Sequence, residues 1–217
     1  MEEIEFSSWP RREHYTFFGG VSNPFYMVTF RQDITAVYEY VKAHGLSFYY
    51  AMTWLVTSAV NRVDAFHYMT DGNSIYRMEL RAPSFTDLAP GEELFRIITM
   101  PPESMSLGIA DFCLEAARRS AAQKSFIIPE TESEELLYIS CLPWMDITAV
   151  TNERDLDRPE SRYSAIPSIT WGRYTEENGR KILGISIEVN HRFIDGLHLG
   201  LFVQSLTDEI DSLLQLP

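Results

Sequence analysis

Strand-forming and helix-forming segments follow one another along this 217-residue chain in an order that few folds accommodate. Runs of β-branched and aromatic residues bounded by turns predict six strands. They cover residues 25–30, 74–80, 94–99, 136–142, 165–174 and 181–189. The segments 163–174 and 180–189 predict a hairpin closed around Asn178 and Gly179. Because hairpins are mixed with helical connections, we expect an α/β two-layer sandwich with a mixed β-sheet and helices rather than a regular barrel.

Four helical segments accompany these strands. Asp33 is the expected N-cap of a first helix, which ends near Gly45. The segment 48–63 is apolar around most of its circumference, which predicts a helix buried on several sides. A third helix is expected within 104–124, and an apolar stripe predicts a fourth over 198–214.

The sequence contains no internal repeat, no low-complexity segment and no long linker. The most polar segment, 151–162, is short and is expected to be a surface loop. We therefore expect one domain over residues 1–217.

Charge and composition exclude several classes of partner. No run approaches the ~20 apolar residues of a membrane helix, and the acidic first residues do not resemble a secretory signal. Two cysteines without metal-ligand spacing favour a reducing cytoplasm and argue against a metal site. A net charge of −13 would repel a nucleic-acid backbone. Neither nucleic acid nor membrane is therefore an expected partner.

The segment 190–196 (NHRFIDG) lies between the last predicted strand and the last helix. A strand-to-helix corner places side chains at the edge of a sheet, where His191 can meet a substrate. Its imidazole can be neutral at physiological pH and accept a proton. Asp195 can close the corner through a charge pair, and Gly196 gives the turn its backbone freedom. The same residues also fit a structural histidine followed by an Asp-Gly turn.

Several further segments, taken together, resemble one enzyme family. The chain resembles chloramphenicol O-acetyltransferases nearly from end to end. The resemblance rests on the segments 9–15 (WPRREHY), 48–49 (FY), 69–72 (MTDG), 140–144 (SCLPW), 170–174 (TWGRY) and 191–198 (HRFIDGLH). It implies the fold of the CoA-dependent acyltransferases, with acetyl-CoA as co-substrate and a small hydroxyl compound such as chloramphenicol as acceptor.

The resemblance also implies roles for individual residues. His191 matches the catalytic base, which takes the proton of the acceptor hydroxyl during direct transfer in a ternary complex. Ser140 matches the donor to the oxyanion, although a strand-end serine bonded to the backbone is the alternative. Asp195 and Arg11 match an ion pair that orients the histidine; two solvated surface charges are the alternative. Thr170 matches a threonine that holds a water.

The resemblance places substrate contacts on both sides of the reaction. Arg173 and Tyr174 match positions along the coenzyme A tunnel. The acceptor pocket is implied at Phe17, Phe18, Thr86, Phe95 and Tyr138. Each of these aromatic residues, like Tyr174 and Trp171, also fits an ordinary core position. Cys141 is expected to be an inert buried thiol, because no activating base lies near it in sequence.

Three positions depart from the family pattern. Asn190 replaces the first histidine of a common pair, Arg192 replaces a small residue after the base, and Ser47 replaces a basic residue. These changes leave two alternatives open, a same-fold acyltransferase with another hydroxyl acceptor and a non-catalytic ligand-binding relative. Catalytic cores of 2-oxo acid dehydrogenase complexes share the corner but normally follow lipoyl and linker segments, which this sequence lacks. The resemblance further implies a homotrimer with active sites at the subunit interfaces.

Overall fold

The computed structural model describes residues 1–154 and 165–215. The described helices are α1 Arg12–Gly19, α2 Thr35–His44, α3 Phe48–Asn61, α4 Ile109–Ala122 and α5 Gly196–Ser212. The described strands are β1 Glu2–Glu3, β2 Phe25–Asp33, β3 Tyr68–Thr70, β4 Ile75–Arg77, β5 Ala82–Asp87, β6 Arg96–Thr99, β7 Leu136–Leu142, β8 Ser168–Gly172, β9 Thr175–Glu177 and β10 Arg180–Asn190. Short 3-10 turns connect several of them.

A seven-stranded sheet in the order β2-β10-β8-β7-β5-β6, with β9 paired to β10, forms the first layer. The pairs β5–β7 and β7–β8 are parallel, and the other pairs are antiparallel. The helices form the second layer, in which α3 contacts α2, α4 and α5 as well as strands β5 and β7. The predicted two-layer sandwich with a mixed sheet is confirmed.

Helix α3 is the centre of the helical layer. Ser47 begins it as N-cap, accepting a hydrogen bond from the backbone N–H of Tyr50. Eight of its side chains are buried, including Leu55, Val56 and two threonines. Thr53 and Thr57 donate their hydroxyls to carbonyl oxygens one turn earlier, so that these polar groups can be buried. The expectation of a helix buried on several sides is confirmed.

Several predicted boundaries were wrong. The predicted strand 74–80 shortens to β4, which lies in a separate three-stranded sheet with β1 and β3. Asp33 closes β2 instead of capping α2 from the N-cap position, although its carboxylate still accepts a hydrogen bond from Thr35 N–H. Strand β5 and helix α1 were not predicted. The residues of β5 do not alternate between apolar and polar, and α1 is only 8 residues long with no buried side chain.

The hairpin turn at Asn178 and Gly179 is confirmed by positive φ angles of 52° and 78°. Its first strand is the short β9, whereas β8 is a separate strand that pairs with β10 beyond it. Residues 163 and 164 of the predicted hairpin, and 155–162 of the predicted polar loop, lie outside the described residues.

Candidate active site

The predicted strand-to-helix corner follows β10. Asp195 is the N-cap of α5, and its carboxylate accepts the N–H of Leu197 at 3.1 Å. His198 completes the cap, because its Nδ1 accepts the N–H of Asp195 at 3.1 Å. The helix therefore begins at Gly196, two residues earlier than predicted. This double cap fixes the first turn of α5, which begins five residues after His191.

Arg11 ties the N-terminal segment to this corner through three hydrogen bonds. Its Nη1 donates to Asp195 Oδ2 at 2.8 Å, and its Nε and Nη2 donate to the carbonyls of Arg192 and His191 at 2.9 and 3.0 Å. The predicted ion pair is therefore present, with side chains only 13% and 32% exposed. Burial alone would raise the pKa of Asp195, but the Arg11 hydrogen bond and the other contacts lower it.

The imidazole of His191 contacts two aromatic rings. Phe18 of α1 stacks on it with ring centroids 3.8 Å apart, and Tyr26 of β2 lies 4.5 Å away on a tilted plane. Burial and then the charge of Arg11 lower the pKa of His191, although Asp195 opposes this. The imidazole is therefore neutral at physiological pH and can accept a proton.

A cavity of about 1020 Å³ lies along the middle of the large sheet. Ser140 and Thr170 face each other in the β7–β8 register, and both line it. The hydroxyls of Ser140 and Thr86 are 3.1 Å apart. Tyr49 of α3 fixes this wall by donating its hydroxyl to the carbonyl of Thr86 at 2.6 Å. These contacts bring three of the predicted hydroxyl residues together.

Cys141 also lines the cavity, next to Ser140. Burial raises the pKa of its thiol to about 12. The group is therefore a protonated thiol at neutral pH and a poor nucleophile, in agreement with its predicted inert character.

The two residues predicted to contact coenzyme A lie on the same cavity, but their environments differ. Arg173 is exposed at the wall, whereas Tyr174 packs edge-on against Tyr38 and Phe48 at 5.6 and 6.1 Å. Tyr174 therefore has a packing role as well as a place on the wall.

The residues predicted for the acceptor pocket fall into two groups. Thr86, Phe95 and Tyr138 line the cavity. Phe17 and Phe18 lie instead beside the corner, where they pack edge to face at 5.1 Å. Phe95 is 48% exposed and Phe17 is more exposed still, so neither is an ordinary core residue in this chain.

Within one chain the structure does not bring His191 to Ser140. Thr170, the register partner of Ser140, faces Ser186 on β10. His191 lies five residues beyond Ser186, roughly 17 Å along an extended strand. The base and the hydroxyls therefore form two separate half-sites on one chain.

Two negative findings apply to residues 1–154 and 165–215. No group of three His, Cys, Asp or Glu side chains is placed there to hold a metal ion. None of the helices in these ranges combines the length and apolar character needed to span a bilayer.

Two functional contacts had little sequence signal. The hydrogen bond from Tyr49 to Thr86 joins residues that are 37 positions apart. His198 occupies the position where a capping box usually has Glu or Gln, so the motif was not visible in the sequence.

Comparison with solved structures identifies the fold. A chloramphenicol acetyltransferase superposes with a TM-score of 0.75 and 22% identity, covering 96% of this chain and 97% of the other. The dihydrolipoamide acetyltransferase of Azotobacter vinelandii superposes with a TM-score of 0.68 and 15% identity, covering 93% and 88%. The fold is therefore the one that these two acetyltransferase structures share.

Sequence comparison gives the family. The profile of the chloramphenicol acetyltransferase family matches residues 1–207. A chloramphenicol acetyltransferase from Streptomyces acrimycini is 26% identical over 215 residues, which cover 99% of this chain and 94% of the relative. The chain belongs to the chloramphenicol acetyltransferase family and is an acyltransferase of that family.

Proposed function

We propose that the protein transfers an acetyl group from acetyl-CoA to the hydroxyl of chloramphenicol or of a similar small acceptor. The observation that carries the proposal is the neutral, oriented His191 at the family's corner, together with the Ser140 hydroxyl in a large cavity. The name of the Streptomyces acrimycini relative supports the choice of acceptor. We also propose that the chain is one domain. The family profile matches residues 1–207, and the proposal assigns the remaining C-terminal residues to the same domain.

The proposed reaction is direct transfer with His191 as general base. The imidazole takes the proton of the acceptor hydroxyl while that oxygen attacks the thioester carbonyl carbon. The Ser140 hydroxyl donates a hydrogen bond to the oxyanion of the tetrahedral intermediate. The carbon–sulfur bond then breaks, and the coenzyme A thiolate takes the proton from the imidazolium. Thr170, whose side chain is buried beside Ser140, holds a water near the intermediate.

Acetyl-CoA fits the cavity in size and in the chemistry of its wall. The cavity volume of about 1020 Å³ is large enough for the extended thioester arm of acetyl-CoA. The exposed guanidinium of Arg173 is available to a phosphate, and Tyr174 lines the adjacent wall. We therefore assign these two residues to coenzyme A.

We propose that one chain supplies His191 and a second chain supplies Ser140. The separation of roughly 17 Å within a chain is far beyond the reach of a hydrogen bond. A homotrimer, as in the family resemblance, provides three such sites. Phe17 and Phe18 would then line the acceptor pocket from the histidine side, opposite Phe95, Tyr138 and Thr86. The free thiols of both cysteines support a cytoplasmic location.

A thiol-release assay with acetyl-CoA and chloramphenicol tests the activity. We expect turnover by the wild type and a loss on the order of 10⁴-fold in His191→Ala. A panel of other hydroxyl compounds follows if chloramphenicol is not turned over. Release no faster than in His191→Ala with every acceptor would contradict acetyl transfer and favour a non-catalytic binding protein.

Mixed oligomers test the shared site. Chains carrying His191→Ala and chains carrying Ser140→Ala are refolded together in equal amounts. Each interface then receives both intact residues in about a quarter of cases, so about a quarter of the wild-type activity should return. Each variant refolded alone is the matched control. No recovery in the mixture would contradict a site built from two chains, as would a solution mass close to 25.0 kDa.

A further inference from the structure

Two of the three lysines of this chain lie against one tyrosine beside the cavity. The ammonium groups of Lys42 and Lys181 are 5.2 and 5.0 Å from the centre of the Tyr38 ring. The Lys181 ammonium is also 5.5 Å from the ring of Tyr174, a residue of the cavity wall. Lys42 is exposed and the side chain of Lys181 is 19% exposed, so that neither is closed off from solvent. These four residues form the lysine cluster.

The lysine cluster carries more positive than negative charge. Among the residues that the structure describes, only Glu176 forms an ion pair with it, through Lys181, and this carboxylate is 61% exposed. The hydrogen bond and the charge of Lys42 are the main causes of a lowered pKa at the Tyr38 hydroxyl, and the charge of Lys181 adds to them. A phenol becomes more acidic where its surroundings favour a negative charge. The cluster is therefore a local positive region in a chain whose net charge is −13.

This positive region lies at a distance from the reacting hydroxyls. Thr170, the register partner of Ser140, stands four residues before Tyr174, roughly 13 Å along an extended chain. Arg173 is exposed on the same wall and adds a third cation, whereas Ser47, where the family pattern has a basic residue, lines the wall without a charge. Acetyl-CoA carries its thioester and its phosphate monoester at opposite ends. A phosphate site is therefore expected away from Ser140 rather than beside it.

On the basis of the acetyl transfer inferred above, we propose that the lysine cluster binds the 3′-phosphate of acetyl-CoA. The ammonium groups of Lys42 and Lys181 donate hydrogen bonds to the phosphate oxygens. A phosphate monoester carries a charge of about −1.5 to −2 at neutral pH, which two converging ammonium groups match. Lys42 and Lys181 are thus specificity-determining residues, which distinguish acetyl-CoA from a thioester that lacks this phosphate.

Acetyl-CoA and 3′-dephospho-acetyl-CoA differ only in this phosphate and therefore test the proposal. The measurement is the ratio of kcat/KM for thiol release from the two donors, at a saturating concentration of an acceptor that wild type turns over. The variants are Lys42→Gln, Lys181→Gln and the double variant, with Lys42→Arg as the variant that keeps the charge. Lys124→Gln is the matched control, because this exposed third lysine lies outside both the cavity wall and the cluster.

We expect wild type and Lys124→Gln to prefer acetyl-CoA by about 10- to 100-fold, the range for hydrogen bonds to a charged group. Each single lysine-to-glutamine variant should lose about 3- to 10-fold of this preference, because each ammonium is partly solvated. The double variant should lose most of it, and Lys42→Arg should stay within about threefold of wild type. A preference of the double variant within about twofold of wild type would overturn the proposal, because the lysines would then act on another part of the donor or only in packing.

Calorimetric titration with coenzyme A and 3′-dephospho-coenzyme A separates this proposal from acetyl transfer, because binding requires neither acceptor nor turnover. If no acceptor yields thiol release, acetyl transfer is contradicted and the lysine cluster is judged by binding alone. Coenzyme A bound at least about tenfold more tightly than its dephospho form by wild type, but not by the double variant, would support the phosphate site. Equal affinity of wild type for the two forms would overturn it, whether or not the protein transfers acetyl groups.

Discussion

Replacement of Arg11 by alanine tests what stabilises the corner that carries His191. The substitution removes three hydrogen bonds, one to the carboxylate of Asp195 and two to the carbonyls of His191 and Arg192. At about 1 kcal/mol for each bond, the free energy of unfolding should fall by about 3 kcal/mol. Asp195 is 32% exposed and keeps its cap to Leu197, so no further cost for a buried charge is expected. For a chain of this size the loss corresponds to a fall in Tm of roughly 6 to 12 °C.

Thermal unfolding of three variants measures this loss. Arg12→Ala is the matched control, because that neighbouring side chain is 52% exposed and its contacts, an ion pair of 4.0 Å to Glu13 and a hydrogen bond to the carbonyl of Ser7, lie at the surface. We expect it to change stability by less than about 0.5 kcal/mol. Arg11→Lys keeps the charge but loses the planar fork, so it should retain the effect of at most one of the three bonds.

A double-mutant cycle with Asp195→Asn isolates the ion pair. We expect a coupling free energy of about 1 to 2 kcal/mol between positions 11 and 195. Equal melting temperatures for Arg11→Ala and Arg12→Ala, together with zero coupling, would refute the view that Arg11 holds the corner. Loss of activity in Arg11→Ala should exceed that in Arg12→Ala, because the Arg11 guanidinium fixes the backbone of His191.

Three more predictions concern the reacting groups. If neutral His191 is the base, as proposed, its lowered pKa means that kcat/KM at pH 6.5 should exceed half of its value at pH 8. A half-maximum above pH 6.5 would contradict this. Ser140→Ala should lower kcat by about 10²-fold with little change in KM, as steady-state thiol release will show, whereas an unchanged kcat would remove its oxyanion role. Cys141→Ala should keep activity within about twofold, and the wild type should resist iodoacetamide at pH 8, because the pKa of this thiol is about 12.

The sequence was most informative where one local pattern decides the structure. The continuous apolar surface of α3, the Asn178-Gly179 turn and the stripe of α5 each depend on neighbours within a few residues. The pair between Arg11 and Asp195 spans 184 positions, and the family resemblance predicted it although no local pattern did.

Long-range polar contacts explain why the remaining features were not predictable. Arg81 is fully buried and donates to carbonyls on several separate segments, those of Phe66, Tyr68, Glu134, Leu136 and Ala165. In the sequence it looks like an ordinary surface arginine beside Leu80. Burial lowers its pKa to about 9, so it remains charged at neutral pH, and the five carbonyls together compensate its desolvation. Such a set of partners exists only after the strands have been brought together.

The departures from the family pattern beside the base have a structural explanation. Asn190 is buried, and its side-chain oxygen accepts the N–H of Arg192 at 3.0 Å. The Arg192 guanidinium is also buried and lies 3.9 Å from the centre of the Tyr15 ring, next to Gly19 of α1. Asn190 thus joins two residues of the corner, and Arg192 joins the corner to the helix that carries Phe18. Neither side chain adds a charge to the open cavity. The two departures beside His191 therefore serve the packing of the corner and leave the charge of the cavity wall unchanged.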